Sequence, residues 1–117
     1  MAVTAQASGT QTATVTTEHQ LADVNAAGVF TFHVDTVNMV NGDILEIRIY
    51  QMVLTAGASR VVYFQGYYGA QNADVDGLIK VSVPISNELT DATSLRFSIK
   101  QTFGTGRAFP WKVLKHA

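Results

Sequence analysis

The feature that most restricts the fold of this chain is a regular alternation of apolar and polar side chains in separate short stretches. Successive side chains of a β-strand point to opposite faces of the sheet, so the alternation predicts strands with one buried face. In the clearest stretch the predicted inward positions are Ile79, Val81, Val83 and Ile85, with Lys80 and Ser82 facing outward. No apolar stripe persists with the 3.6-residue period of a helix, so we predict an all-β protein.

Seven stretches show this pattern or a strand-like composition, and turn-forming sequences separate them. They cover residues 12–17, 29–34, 44–54, 61–68, 78–85, 95–100 and 109–114. Seven or eight short strands at regular spacing are typical of a β-sandwich or a small barrel. We favour a single-domain antiparallel β-sandwich, jelly-roll or immunoglobulin-like, because two apolar inner faces can interdigitate without a ligand cavity.

Two segments depart from the half-buried pattern. Residues 1–11 contain no large apolar side chain beyond Met1 and Val3, which predicts a flexible N-terminal arm ahead of a sandwich domain at residues 12–117. Residues 61–68 are apolar on both faces, so we expect a central strand or one that a partner covers. The second segment therefore predicts a homo-oligomer, either a trimer or a dimer.

Composition excludes several classes of function. The net charge is −1 and only 15% of residues are charged, against about a quarter in ordinary domains, so no basic patch is expected to bind nucleic acid. The absence of cysteine excludes disulfides, thiolate zinc sites and a cysteine nucleophile. The first residues do not form a secretory signal and no stretch is long enough to span a membrane, so we expect a soluble, unexported chain.

The chemical motifs are all explained better as turns or surface groups. Asp74 and Asp76 begin a calcium-loop-like sequence, but the twelfth position is Ile85 rather than a glutamate. The histidines at positions 19, 33 and 116 lack the spacing of metal ligands, and we expect His33 to face outward. No G-x-S-x-G nucleophile motif is present. We therefore predict a non-enzymatic protein and assign no catalytic, cofactor-binding or metal-binding residue.

Aromatic residues and one glycine-rich turn are the candidate interface. Tyr and Trp are common at interfaces because they combine apolar area with a polar tip. The candidate residues are Arg107, Phe109, Trp111, Tyr67 and Tyr68. In one interpretation the turn at residues 104–111 is the main contact, with Arg107 pairing a partner's carboxylate. In the other, Phe109 and Trp111 close the end of the sandwich and only Arg107 is exposed.

Most of the chain beyond residue 11 resembles a group of small proteins encoded near the head genes of tailed bacteriophages. The similarity is carried by residues 16–22, 27–30, 34–39 and 41–48, and most specifically by the closing run Lys100–Leu114. It implies a virion structural protein, most plausibly a head decoration (cement) protein that binds the major capsid protein and is made in the host bacterial cytoplasm. The alternative is a carbohydrate- or receptor-binding sandwich of the fibre, tail or adhesin type, with Tyr67, Tyr68 or Trp111 stacking on a glycan.

Overall fold

A computed structural model describes residues 2–116, which form nine strands and no helix. The strands are β1 (Val3–Thr12), β2 (Glu18–Val24), β3 (Gly28–Asp35), β4 (Ile44–Met52), β5 (Ser59–Tyr68), β6 (Ile79–Val81), β7 (Ile85–Asn87), β8 (Leu95–Phe103) and β9 (Ala108–His116). The first sheet has the order β1-β9-β3-β6, with β7 also paired to β3, and the second has the order β2-β8-β4-β5. Every pairing is antiparallel.

This connectivity is a jelly roll. β6 and β7 pair with opposite ends of β3, so together they occupy the place of one interrupted strand. The chain then consists of four nested antiparallel pairs: β1 with β9, β2 with β8, β3 with β6 and β7, and β4 with β5. That arrangement differs from the immunoglobulin order, and it confirms the predicted antiparallel sandwich. There are nine strands rather than seven or eight, because β1, β2 and the break in residues 78–85 were not predicted.

The two sheets enclose one apolar core. Its largest fully buried side chains come mainly from three strands: Phe30, Phe32 and Val34 of β3, Leu45 and Ile49 of β4, and Leu95, Phe97 and Ile99 of β8. Phe32 and Phe97 meet across the sheets with ring centroids 5.4 Å apart at 62°, the edge-to-face geometry that aromatic pairs prefer. The inward face predicted for residues 95–100 is therefore confirmed.

The segment predicted as a flexible arm forms β1 on the side of β9. Its register runs from Val3 opposite His116 to Thr12 opposite Ala108, with one extra residue near Ala5. β1 buries little side-chain area, so the backbone hydrogen bonds that β9 offers explain its order better than burial does. Residues 3–12 therefore belong to the sandwich, while Met1 lies outside the described residues. Residues 13–17, predicted as a strand, form the turn that leads into β2.

The face predicted for residues 79–83 is inverted, whereas Ile85 is buried as predicted. Lys80 and Ser82 are buried, whereas Ile79, Val81 and Val83 are each about half exposed. Ser82, just after β6, continues the hydrogen bonding to β3. Its backbone N–H donates to the Phe32 carbonyl at 2.8 Å, and its hydroxyl accepts from the Phe32 N–H at 2.9 Å. Hydrogen bonding to the partner strand thus fixes the register, and the apolar side chains of β6 remain outside.

β5 is an edge strand rather than a central one. Among residues 2–116 it pairs along one edge only, with β4. The apolar side chains on its outer face, such as Phe64 and Tyr68, are exposed. The prediction of a central strand is therefore wrong. The remaining prediction, that a partner covers this strand, stays a prediction.

Candidate interaction surfaces

The turn at residues 104–107 is folded around a buried carboxylate. Asp43 is 1% exposed and accepts hydrogen bonds from the Val40 N–H at 3.0 Å and from Arg107 Nε at 2.9 Å. The Thr105 N–H lies 3.4 Å away and adds a weaker contact. Burial alone would raise the pKa of Asp43, but these donors and the Arg107 charge lower it more, so the net pKa is below its usual value.

A buried amide completes this structure. Gln101 is fully buried; its Nε2 donates to the carbonyls of Phe103 and Thr105, and its Oε1 accepts from the Arg107 N–H at 3.0 Å. Gly104 has φ of +92°, and a Cβ built there would lie 2.1 Å from Asp43 Oδ1. We call Asp43, Gln101, Gly104 and Arg107 the Asp43 clamp. Asp43 and Gln101 are satisfied within the chain, and Arg107 Nε is held by Asp43 while the Arg107 side chain stays 28% exposed.

The two aromatic residues after the turn belong to the inside of the sandwich. Phe109 is 0% exposed and sits in the core. Trp111 packs partly against the core, and its indole would lie 3.4 Å from a Cβ built at Gly9 on the neighbouring strand. The interpretation in which Phe109 and Trp111 close the sandwich therefore describes their positions. Arg107, however, is not left exposed alone, because Asp43 holds it.

Tyr67 and Tyr68 point to opposite faces of the second sheet. Tyr67 lies opposite Leu45 on the inner side, where burial and, secondarily, neighbouring Tyr63 raise its pKa to about 12. The Lys80 ammonium lies 5.0 Å from the centre of its ring. Tyr68 is 73% exposed on the outer side. Since Trp111 lies in the other sheet, the structure does not bring the three aromatics together into one platform.

The largest uncovered apolar feature of the second sheet is the β5 edge, which we define as β5 together with the preceding loop. Six of its large apolar side chains are 43–80% exposed: Val53, Leu54, Val61, Val62, Phe64 and Tyr68. Arg48 lies over the Phe64 ring at 5.0 Å and is paired with Glu46 at 2.8 Å. Contiguous exposed apolar area of this kind marks interaction surfaces in soluble proteins. The sequence signal was the apolar character of residues 61–68 on both faces.

The opposite edge of the same sheet is polar. Glu18 of β2 accepts hydrogen bonds from the hydroxyls of Tyr50 and Ser98, and Asp23 pairs with Arg96 at 3.1 Å. Burial raises the pKa of Glu18, but the two hydroxyl donors and nearby cations lower it more. β2 also carries a bulge near Leu21. Charges and bulges are devices that discourage strand pairing, and β2 has both.

A groove of about 420 Å³ lies on the first sheet. Its walls include Thr10, His33, Asp35, Ile79, Pro110 and Lys112. His33 faces outward as predicted, and it shares the Thr31 hydroxyl with His116 at 2.9 Å each. Burial and the neighbouring Lys112 and His116 charges lower the pKa of His33.

No family model matches the chain, and no curated protein or solved structure matches it significantly. Within residues 2–116 no three His, Asp or Glu side chains are grouped closely enough to hold a metal ion. The same residues include no helix with the length and apolar character needed to cross a membrane.

Proposed function

We propose that this chain is a structural, non-enzymatic protein of a tailed-bacteriophage virion, a decoration protein that binds the major capsid protein on the head shell. The observation that carries the proposal is a jelly roll whose first sheet exposes apolar side chains along β6. Jelly rolls are used by viral capsid domains, and this exposed apolar area is available for assembly. The sequence resemblance to phage proteins points the same way.

The contact with the shell is assigned to the outer side of the first sheet rather than to the glycine-rich turn. In the Asp43 clamp Arg107 Nε is already held by Asp43, whereas Ile79, Val81 and Val83 expose about half of their apolar area, with Ile79 in the wall of the groove. A stable contact buries about 800 Å² on each partner. Many copies bound to the assembled shell, and not to free subunits, stabilise the shell by mass action.

The test is occupancy on particles. Purified chain is added to particles of the encoding phage that lack it, and copies per particle are counted after density-gradient separation. Val81→Lys places a charge on the proposed contact and should lower the apparent affinity at least about tenfold, as expected when an unpaired charge enters an interface. Phe103→Lys, at a residue 65% exposed at the end of β8 in the second sheet, is the control and should bind normally. Absence of wild-type chain from particles would overturn the proposal.

The groove favours one second candidate, a carbohydrate-binding module. It sets apolar Ile79 and Pro110 beside polar His33, Asp35 and Lys112, the mixture from which small-molecule sites are built. Jelly rolls also include lectin domains. Saturable binding of the isolated chain to one class of glycan, abolished by Asp35→Ala and retained in Phe103→Lys, would favour this candidate over the virion protein.

A further inference from the structure

The outward side of β5 has hydrogen-bonding capacity that residues 2–116 leave without a strand partner. β4 occupies only one side of β5, so alternate backbone N–H and C=O groups along its other side face away from the sheet. Such an edge is a template for another extended segment. A protein segment that pairs with this edge does so through an extended backbone of its own.

β5 also lacks the devices that protect edges. It contains no proline, and its only charged residue is Arg60, near its start. Its single bulge, at Val62, lies before the regular stretch Tyr63–Tyr68 that pairs with β4 without interruption. β2, the other edge of the same sheet, carries Glu18, Asp23 and a bulge within its strand. The contrast within one sheet identifies β5 as the edge open to pairing.

We propose that two copies of this chain pair edge to edge along Tyr63–Tyr68, antiparallel and across a two-fold axis, to form one continuous eight-stranded sheet. A strand that pairs antiparallel with its own copy in one sheet does so about a two-fold axis, so the assembly is a dimer rather than a trimer. The same faces of both copies stay aligned, which places Phe64 and Tyr68 of each in one outer apolar row. The inference does not depend on the virion proposal.

Charge supports the antiparallel direction and a second copy as the occupant. Arg60 stands at the start of β5, and the loop after its end carries Asp74 and Asp76. Antiparallel pairing brings Arg60 of one copy towards the acidic loop of the other, at both ends of the shared ladder. A parallel arrangement would place the two Arg60 side chains together instead. Such complementarity fixes the register and the choice of partner.

The first test uses single cysteines, which are unique because the chain has none. Each of the residues at positions 63–68 is replaced in turn, and disulfide dimers are counted under mild oxidation. Near a two-fold axis a residue faces its own copy at about 4.4–6.8 Å between Cα atoms, the range that a disulfide requires. We expect one or two adjacent positions of β5 to cross-link, and Gln20→Cys on the β2 edge to remain monomeric.

The second test uses charge. Phe64→Lys places two ammonium groups near each other across the axis and should weaken dimerisation at least about thirtyfold by light scattering and sedimentation equilibrium. Val83→Lys adds the same charge at a residue 54% exposed between β6 and β7 of the first sheet, away from both β5 and the acidic loop, and should dimerise like wild type within about threefold. Circular dichroism of both variants establishes that they are folded.

The outcomes separate this inference from the virion proposal. A wild-type chain that stays monomeric at several hundred micromolar would overturn the β5 pairing. Dimers that cross-link at other strands, or pairing of β5 only with an added capsid segment, would overturn it as well. In either case the particle-occupancy result stands on its own. Focused cross-linking in β5 together with loss of the dimer in Phe64→Lys establishes the pairing.

Discussion

The glycine-rich turn and the β5 edge differ in a way that their sequences do not suggest: the turn is bonded within the chain, and the edge strand is open. The turn is polar and short, yet the Asp43 carboxylate binds Arg107 Nε and the Gln101 amide binds the backbone of the turn, so both buried groups are satisfied in the Asp43 clamp. β5 is apolar and strand-forming, yet it remains uncovered on one edge. What distinguishes them is whether the hydrogen-bonding groups are satisfied within the chain. A region is available to a partner when its backbone or side-chain groups lack internal partners, whatever its polarity.

The largest loss of stability should come from disrupting the Asp43 clamp at Gly104. In Gly104→Ala the new Cβ collides with Asp43 Oδ1 and Cα at a φ of +92°, so we expect a loss of about 4 kcal/mol in the free energy of unfolding. Gly42→Ala is the matched control, because its φ is +98° and no atom lies within 4 Å of the new Cβ. It should cost only about 1–2 kcal/mol. Equal losses in urea denaturation would contradict the closed clamp.

The second effect is a pH dependence of the clamp. The pKa of Asp43 is lower in the folded than in the unfolded chain, so its stabilisation is fully present above pH ~4 and is lost as pH falls towards the folded pKa. Asp43→Asn should lose about 2–3 kcal/mol at pH 7, because a buried amide cannot accept at both of the oxygens that Asp43 uses and no longer offers Arg107 a charge.

Denaturation of both proteins at several pH values checks this sign. Wild type should lose its advantage over Asp43→Asn as the pH approaches 3, so the two curves converge. A difference that stays constant from pH 7 to pH 3 would show that the Asp43 charge does not act through this pair.

The smallest effect on stability is expected at the open region. Tyr68 is 73% exposed, and its hydroxyl lies 3.5 Å from a Cβ built at Gly66. Tyr68→Ser should therefore change the free energy of unfolding of the monomer by less than about 0.5 kcal/mol, as most surface substitutions do. The same variant should weaken dimerisation about fivefold by light scattering, since apolar area leaves the outer row. A large loss of monomer stability would place Tyr68 in the folded unit instead.

The sequence predicted the sandwich and the core because alternation determines two faces for each strand. Leu95, Phe97 and Ile99 lie inward as expected, since their neighbours on the other face are all polar. Alternation alone does not predict which face of a strand is buried when hydrogen bonds to the neighbouring strand set the register. Ser82 bonds to Phe32 and draws Lys80 inward, so Ile79 is left outside.

The candidate site was predicted only in part, for a related reason. β1 is ordered by backbone pairing with β9. Its small, mostly exposed side chains show no alternation from which the strand could be predicted. Arg107 seemed available because its partner, Asp43, is 64 residues away in the sequence. The apolar character of residues 61–68 on both faces was visible in the sequence, and Tyr68 is exposed, but its role at an interface stays a prediction. That β5 lies at an edge depends on the order of the sheet, which the sequence does not reveal.

The central claim, that β5 is an open edge which a second copy covers, is tested most directly by amide hydrogen exchange at two protein concentrations. At low micromolar concentration the outward amides of Tyr63–Tyr68 should exchange rapidly, and at several hundred micromolar they should slow by at least about tenfold as the ladder forms. The β2 amides, on the polar edge, should exchange equally at both concentrations. Unchanged exchange in β5, or protection that appears in β2 instead, would contradict the account.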